Sequence, residues 1–475
     1  MFQQVIKVIL LADRMHLDRT QIFGFVLWGL AFVYIVVRAG LLSFTYDECW
    51  SFMGYAEQSV WSTVTNETPA ANNHILHSLL MKVAFSLFGM SELALRLPVL
   101  LGFVVFGWFS WNVAKEFQGM QLLVFAGLVL QPYLLDYFVL ARGYGLALAF
   151  MMGALLFAYR YSQSKVSSHA LWALVFAAAA SYTNFTYLLL YISIGMMLVF
   201  FGWRNAGVKR LIPILLTVSV FLVMLVAYPI SRLIEAQELY YGGTVGFYTD
   251  TLKTLGHVAS YKLMGGGALA ALFALVLLYS GAHVLYLIWR KKSLSMGVVA
   301  ASVLVLIALG SVMQHYIIGS KFLIDRTAMV LLPLFVLAAF HLIQSHIKRP
   351  KLAAGLLVSA CAVNMALAAN LTHTIDFKEH ADYKAAFYEI SEVAEKDTDP
   401  FRLGKSVYMN APIGYYRRRM DMLYVQKAGL EFCDGAGPVR FYYLFGKDVS
   451  CVEGKPVELI AHYPVSDTYL YQTIE

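Results

Sequence analysis

The stretch IFGFVLWGLAFVYIVVRAGLLSFTYDECW, residues 22–50, begins with a long apolar run and ends near two adjacent acids, Asp47 and Glu48. Residues 22–44 are long enough to cross a bilayer, because a spanning helix needs about 20 apolar residues. No small-x-small cleavage site follows the run, so it is predicted to be an uncleaved signal anchor. Arg38, within the run, is expected to extend its charged end to the outer surface. The two acids are therefore predicted to lie where the chain leaves the membrane.

The composition of the 475-residue chain is that of an integral membrane protein. Its hydrophobic fraction is 60%, its charged fraction 14% and its mean hydropathy +0.65. A soluble domain has about 45–50% apolar and about 25% charged residues. The net charge of +7 comes mostly from basic residues beside the predicted spans, so it does not indicate nucleic-acid binding. The four cysteines contain no CxxC pair, which argues against a zinc knuckle or a redox pair.

Apolar stretches of spanning length recur through residues 1–370, and about eleven transmembrane helices are predicted. Every second connection is basic, so the positive-inside rule places the N-terminus and these connections in the cytoplasm. The sequence therefore predicts a polytopic α-helical membrane domain. The expected spans are 22–44, 93–113, 120–140, 144–160, 169–183, 185–202, 211–229, 268–289, 296–317, 327–346 and 352–370.

Residues 371–475 differ in character and are predicted to form a small extracytoplasmic α/β domain. The runs KSVYMN, VRFYYLF and VELIAHY have the β-branched and aromatic content of strands. Residues 380–395 have the pattern of an amphipathic helix. Cys433 and Cys451 both lie in this tail, where an oxidising compartment would favour a disulfide between them. Two free thiols are the alternative.

Two longer connections on the outer side, residues 45–92 and 230–267, are too polar or too rich in glycine to span a membrane. Each is predicted to contain short helices along the surface. The ionisable residues of this side come from distant segments, and we expect them to meet in one polar cleft. Such a cleft is typical of an enzyme, because a conduction path needs polar groups through the depth of the membrane.

The residue types of this cleft suit transfer of a group from a lipid-linked phosphate. A carboxylate can take the proton of an attacking hydroxyl, and Asp47 or Glu48 could do so. Cations stabilise a leaving phosphate, and the arginine fork matches phosphate oxygens. Arg142, Lys321 and Arg326 are the candidates for that role. The alternative is that these acids and cations pair only with one another and close helix ends.

Several motifs, in this order, resemble those of the C-type (GT-C) superfamily of membrane glycosyltransferases. They are TYDECWSFMGYA, ANNHILHSLL, ELALRLPVLLG and ARGYGLALAF, within residues 20–200. The chain is most similar to the bacterial branch of glycosyltransferase family 39, a group related to protein O-mannosyltransferases and lipid A aminoarabinose transferases. Further along, KFLIDRTAMVLLPLF resembles the arginine-containing entry to a late span in that family.

The resemblance implies an inverting glycosyltransferase of the inner (plasma) membrane. Such an enzyme moves a hexosyl or pentosyl group from a polyprenyl-phosphate donor to a glycan, lipid or protein acceptor on the outer face. It implies that Asp47 is the acid beside the acceptor and that Glu48 is a supporting acid, which orients the acceptor or a metal. Inversion requires one base and a charged leaving group, with no covalent enzyme intermediate.

The segment ANNHILHSLL lies where the family often has an Asn-His-Pro sequence, although Ile75 stands in the proline position here. Asn73, His74 and His77 are therefore expected near the site. A divalent metal held by Asp47, Glu48 and His74 is one interpretation. Hydrogen bonding of the histidines within a packed loop is the other, because a histidine pair alone is an incomplete ligand set.

The remaining candidates lie in the later motifs. Arg96 is expected to hold the first outer loop by pairing with Glu92 or with an acid of TYDE. Arg142 and Tyr144, in ARGYG, are expected to bind the donor phosphate or to organise the site, since the glycines allow close backbone approach. Tyr240 and Tyr241, beside two glycines, suit a lid over the site. An interfacial anchor is the alternative for this tyrosine pair.

Two other functions are compatible with a polytopic membrane protein. A transporter or flippase of lipid-linked sugars is expected to have charges at the centres of its spans and repeat-related broken helices. Neither feature is evident in the sequence. A non-catalytic scaffold in envelope assembly, with the tail as a binding module, would give the convergence of Asp47 and Arg142 no role.

Overall fold

The computed structural model describes residues 18–204, 207–263, 266–290, 294–394, 400–426 and 439–474. Within these ranges, nine helices are long and apolar enough to cross a membrane. This confirms the polytopic α-helical class that the sequence predicts. The nine are Arg19–Leu41, Glu92–Ala114, Gly143–Ser164, Phe185–Arg204, Val208–Glu235, Gly266–Trp289, Met296–Ile318, Asp325–His346 and Pro350–Ala368.

The other two predicted spans have a different form in the structure. The segment predicted at 169–183 is the helix Ser167–Thr183, which is only 17 residues long. The segment predicted at 120–140 is divided into the helices Gln121–Val129 and Pro132–Tyr137. Pro132 has no amide hydrogen to continue the first helix, so it begins the second one instead.

The two long outer connections contain short helical elements. Residues 45–92 include Tyr46–Ser51, Phe52–Ala56, Val60–Thr65 and the longer helix Ile75–Phe88. Residues 230–267 include Phe247–Leu252 and Lys253–Ala259. The helix Val208–Glu235 continues into this second connection, beyond the predicted span end at residue 229.

Contacts between the connections show which of them lie at the same end of the helical bundle. At one end, Gln163 donates a hydrogen bond to the Leu294 carbonyl (2.8 Å), and Gln344 donates to that of Gln118 (3.4 Å). The basic connections belong to this end. At the other end, Arg142 contacts the first outer loop at the Asn72 carbonyl (3.3 Å). That the basic end faces the cytoplasm stays a prediction of the positive-inside rule.

A buried ion pair joins the first helix to the broken one. Arg38 and Asp136 are each 1% exposed and lie 2.6 Å apart. Asp136 also accepts hydrogen bonds from the Tyr261 hydroxyl (3.0 Å) and the Ile375 amide (2.8 Å). The expectation that the Arg38 charge reaches the outer surface is therefore wrong. A carboxylate from another helix is within reach, and it compensates the charge inside the protein.

The C-terminal region forms a five-stranded sheet. The strands are β1 (Phe401–Lys405), β2 (Val425–Gln426), β3 (Val439–Phe445), β4 (Val457–Tyr463) and β5 (Thr468–Thr473). Their order in the sheet is β2-β1-β3-β5-β4, and the central strand β3 is parallel to β1 and antiparallel to β5. The helices Tyr383–Ala394 and Asn410–Arg419 accompany the sheet.

Two of the three strand predictions in the tail coincide with observed strands. VRFYYLF is β3 and VELIAHY is β4. KSVYMN is misplaced, because β1 ends at Lys405 and the chain then forms a short connection to the next helix. The predicted disulfide partner Cys433 lies outside the described residues, so its pairing with Cys451 stays a prediction.

The helix Asn410–Arg419 beside the sheet packs on the end of the first span and on the first outer loop. Phe44 stacks on Tyr415 with ring centroids 4.6 Å apart. The Phe44 amide also donates a hydrogen bond to the Tyr416 hydroxyl (2.7 Å). The aromatic residues Phe441 and Tyr443 of β3 lie in the same buried cluster. Tail and loop therefore share a hydrophobic core beside the end of the first span.

We expect Asp136→Asn to lower the free energy of unfolding by ~3–5 kcal/mol, because it leaves the buried Arg38 charge without its counter-ion. The measurement is thermal unfolding of the purified protein in detergent. Arg232→Ala is the matched control, since its pair with Glu235 is 34% and 64% exposed. That change is expected to cost at most about 1 kcal/mol. Equal melting temperatures for the two variants would contradict a stabilising role for the buried pair.

Candidate active site

The two adjacent acids of the TYDECW segment point in different directions. Thr45 caps the short helix Tyr46–Ser51, and its side chain and that of Glu48 form a reciprocal capping box. Successive residues of an α-helix point about 100° apart, so Asp47 and Glu48 have different neighbours. Glu48 is fully buried, whereas Asp47 is 19% exposed.

Glu48 is held by protein donors on both carboxylate oxygens. Arg96 makes a two-pronged contact with it, from Nε to Oε1 and from Nη2 to Oε2, each at 2.8 Å. The Ala141 amide donates to Oε1 at 2.6 Å. The expected pairing of Arg96 with an acid of TYDE therefore occurs at Glu48. The expectation that Glu48 orients an acceptor or a metal does not fit this geometry, because its oxygens are already occupied.

Arg96 also closes the end of the first span. Its Nη1 donates to the carbonyl oxygens of Ala39 and Leu42, and its Nη2 donates to that of Ser43, all at 2.9 Å. Each N–H of the guanidinium therefore has an acceptor, although the side chain is fully buried. Arg96 and Glu48 together thus fix the end of the first helix, the capped turn and the segment before Arg142 relative to one another.

Asp47 lies between two guanidinium groups. Its Oδ2 is 3.6 Å from Nη2 of Arg142 and 3.8 Å from Nη2 of Arg326. Both distances exceed that of a direct hydrogen bond, so these are loose ion pairs. The convergence of Asp47, Arg142 and Arg326 is the main agreement between the sequence-based site and the structure. Among the predicted site residues that the structure describes, only Asp47 is a carboxylate with both partial solvent access and two adjacent cations.

Arg142 is 3% exposed and is anchored by the first outer loop. Its Nη1 donates to the Ser51 hydroxyl (2.7 Å) and to the carbonyl oxygens of Asn72 (3.3 Å) and Asp47 (3.4 Å). The following residue must be glycine, because a Cβ at Gly143 would lie 2.8 Å from both the His74 side chain and the Thr183 carbonyl oxygen. Arg142 therefore reaches Asp47 from a tightly packed turn.

Arg326 approaches Asp47 from the entry to a late span. Its guanidinium lies over the ring of Tyr241, 4.8 Å from the centroid, and 5.8 Å from that of Phe377. Aromatic faces attract the cation and restrict its position. The side chain is 25% exposed, so a ligand beside Asp47 can contact it.

The histidine segment packs against the floor of the site. His74 meets the Tyr144 ring edge-on at a centroid distance of 4.9 Å, and Tyr144 meets Tyr137 at the same distance. Asn73 holds the loop by donating to the Thr63 carbonyl (2.9 Å) and the Asn66 side chain (3.0 Å). These contacts fit the packed-loop interpretation of the segment.

Both histidines of this segment are buried and neutral. Burial and the nearby Arg142 charge lower the pKa of His77 to about 3. The same two causes, with His77 as a third, hold the pKa of His74 well below its usual value. Nowhere in the described part of the chain do three or more His, Cys, Asp or Glu residues group as metal ligands. The suggested set of Asp47, Glu48 and His74 is not assembled, since Arg96 occupies Glu48.

The second outer connection is joined to the segment that carries Arg326. Lys321 donates to the Tyr240 carbonyl (2.6 Å), and the Tyr241 hydroxyl donates to Asp325 (3.4 Å). Gly243 and Phe322 exchange two backbone hydrogen bonds of 2.9 Å. Lys321 thus supports the tyrosine segment from an exposed position. That Lys321 binds the donor phosphate with Arg326 stays a prediction.

Several side chains that hold the site residues and their neighbours were not predicted from the sequence. Ser51 and Asn72 position Arg142 and the Asp47 backbone. Asp376, from the tail, accepts hydrogen bonds from the hydroxyls of Tyr133 (3.1 Å) and Tyr137 (2.7 Å). Asn72 and Ser51 lie within the quoted motifs, so their position in sequence was a usable signal. Nothing local marks Asp376, which comes from a separate region.

The sequence matches no family model and no curated protein. The fold is similar to that of ArnT from Cupriavidus metallidurans in the apo state, with a TM-score of 0.53 at 13% identity over 94% of this chain and 97% of that chain. ArnT bound to undecaprenyl phosphate gives 0.52 at 12% identity with the same coverage. The mycobacterial arabinofuranosyltransferase AftD gives 0.47 at 12% identity, over 97% of this chain and 40% of that chain. The two ArnT comparisons show that the chain shares the fold of ArnT over nearly its whole length.

The buried histidines predict a loss of stability in acid. The unfolded chain binds a proton at His77 below about pH 6.5, whereas the folded state resists protonation until about pH 3. Neutral His77 therefore makes its full contribution to the free energy of unfolding above about pH 6.5. As the pH falls, this free energy decreases, by about 2 kcal/mol at pH 4.5–5.

We expect His77→Asn to show a smaller drop in melting temperature between pH 7 and pH 4.5 than the wild type shows. His462→Asn, at a histidine that is 42% exposed, is the control and should retain the wild-type slope. Identical pH slopes for His77→Asn and the wild type would show that His77 is not buried as a neutral group.

Proposed function

We propose that the protein is an inverting glycosyltransferase that uses a polyprenyl-phosphate-linked sugar as donor and an acceptor hydroxyl as nucleophile. The observation that carries this proposal is the partly exposed Asp47 carboxylate, 3.6 Å and 3.8 Å from the guanidinium groups of Arg142 and Arg326. The shared fold supports it, as does the presence of undecaprenyl phosphate in one of the ArnT structures.

In the proposed reaction, the acceptor oxygen attacks the anomeric carbon and the bond from that carbon to the phosphate oxygen breaks. The polyprenyl phosphate leaves with the bonding electrons, and the hydroxyl proton passes to Asp47. Arg142 and Arg326 stabilise the charge that develops on the phosphate. A single displacement of this kind inverts the configuration at the anomeric carbon.

The loose ion pairs of Asp47 suit these two tasks. A phosphate oxygen that enters the site can replace Asp47 as the partner of the Arg326 guanidinium, whose fork matches phosphate geometry. Arg142 is more deeply buried and keeps its contacts with Ser51 and the loop backbone. In this arrangement Glu48 is a positioning residue, which acts through Arg96 and the short helix to direct Asp47 into the cleft.

The remaining assignments follow from the same proposal. Residues 1–370 form the catalytic membrane domain, and residues 371–475 form an extracytoplasmic domain beside it. The donor carries a hexosyl or pentosyl group, and the acceptor is a glycan, a lipid or a protein. We place the protein in the inner (plasma) membrane with the Asp47 end of the bundle on the extracytoplasmic side, in accord with the positive-inside rule. Tyr240 and Tyr241 act as a lid over the donor.

Asp47→Asn is expected to lower sugar transfer by about 10²–10⁴-fold, because it removes the general base, while donor binding remains. The assay follows release of free polyprenyl phosphate and transfer of sugar to a membrane extract, with a panel of polyprenyl-phosphate sugars. Glu235→Gln, at an acid that is 64% exposed, is the matched control and should be active. Equal turnover by Asp47→Asn and the wild type would remove Asp47 from the chemistry. Turnover of no donor by the wild type would favour a transporter or a scaffold.

Arg326→Ala is expected to lower kcat/KM for the donor by about 10²–10³-fold, because a guanidinium that stabilises the leaving phosphate is lost. Arg326→Lys should recover only part of this activity, since lysine lacks the planar fork that stacks on Tyr241. The same assay serves, with Arg232→Ala as a control at an arginine that is 34% exposed. Full activity of Arg326→Ala would exclude a phosphate contact at this position.

A further inference from the structure

The connection after β1 presents an exposed tyrosine in an unusual backbone conformation. Tyr408 has a φ of +69° and is 63% exposed. A bulky residue other than glycine rarely adopts this left-handed region, which costs about 1–2 kcal/mol. Strain of this kind persists only where the surrounding structure enforces it, and it is frequent at functional sites.

The ends of this connection are fixed by the sheet. The Ser406 amide donates to the Tyr443 carbonyl (3.3 Å), and the Ser406 hydroxyl accepts from the Phe445 amide (2.9 Å). Met409, on the other side of Tyr408, is fully buried. The chain is therefore held immediately before and after Tyr408, and the ring projects from a supported position.

The Tyr408 ring lies against the first residue of the short helix that carries Asp47. It meets the Tyr46 ring edge-on with centroids 6.0 Å apart, and Tyr46 directly precedes Asp47 in the same short helix. The pKa of Tyr46 is raised first by burial and then by Asp47, Tyr408 and Tyr240, in that order.

Two distant segments thus place tyrosine rings beside each other at the residue that precedes Asp47. Exposed aromatic surface that is gathered at one place marks a binding site, whereas singly scattered apolar side chains do not. A tyrosine has an apolar ring face and a polar tip. The ring of a sugar has the matching form, with C–H groups on its faces and hydroxyls at its edge.

We propose that Tyr408 and Tyr46 form the acceptor subsite and that they bind a sugar ring of the acceptor, so that its hydroxyl faces Asp47. The inference rests on the proposed glycosyl transfer and adds to it the acceptor class and a specificity-determining residue in the C-terminal domain. The β1 connection thereby selects the acceptor, while the arginines of the membrane domain bind the donor.

The test compares variants of the full-length protein with a polyprenyl-phosphate sugar that the wild type turns over and with octyl glycosides as acceptor probes. Tyr408→Asn removes the ring but tolerates the left-handed backbone, so a change in folding is not expected. It should raise the acceptor KM about tenfold and leave the donor KM and melting temperature unchanged. Tyr408→Phe should remain within about twofold of the wild type, because it keeps the ring face.

Tyr388→Asn is the matched control, since this tyrosine is 51% exposed in the C-terminal region and belongs to the helix Tyr383–Ala394. It should have the wild-type acceptor KM. An unchanged acceptor KM in Tyr408→Asn would overturn the inference, as would transfer to a serine- and threonine-containing peptide but to no octyl glycoside. Either result, obtained with donor turnover that depends on Asp47, leaves the proposed transfer intact. Absence of donor turnover in the wild type would refute both proposals.

Discussion

The buried ion pair between Glu48 and Arg96 is the constraint on which the candidate site depends. It connects the end of the first span, the capped turn after it and the chain immediately before Arg142. Two charges placed in an apolar interior are tolerated only when nearly every lone pair and N–H has a partner, and this pair meets that condition. Because Glu48 is held inward, its neighbour Asp47 has one available direction, toward the two arginines. A residue without access to a ligand thus determines where the Asp47 carboxylate points.

The sequence predicted which residues form the site better than it predicted the role of each residue. Topology and the motif resemblance together brought Asp47, Arg142 and Arg326 to one end of the bundle, as the structure has them. The roles of Asp47 and Glu48 were not separable, because adjacent carboxylates look alike until the helix assigns each a direction. Arg38 and Asp136 are 98 positions apart, and no local sequence pattern indicates that they pair. The sequence therefore led to the wrong prediction that the Arg38 charge reaches the surface.

The C-terminal region is tied to the site by charges as well as by its aromatic core. Glu92, at the start of the second long helix, lies 3.4 Å from Lys384 and 3.8 Å from Arg419. Arg418 pairs with Glu57 of the first outer loop at 2.5 Å. The strand pattern of the tail was readable from its residues, but the position of the KSVYMN connection was not, because hydrogen bonds to β3 decide where β1 ends.

The contacts of Asp136 have a consequence for the order of events during synthesis. The Ile375 amide, one of its hydrogen-bond donors, follows it by 239 residues. This hydrogen bond therefore cannot form when the first spans enter the membrane. At a translation rate of about 5–20 residues per second, the interval is roughly 10–50 s. For that time, Asp136 has Arg38 and later Tyr261 within the chain but lacks the Ile375 amide, and a nascent chain that stops before the tail never gains this donor. The contacts of the buried Arg38–Asp136 pair are thus complete only after the C-terminal region has been synthesised.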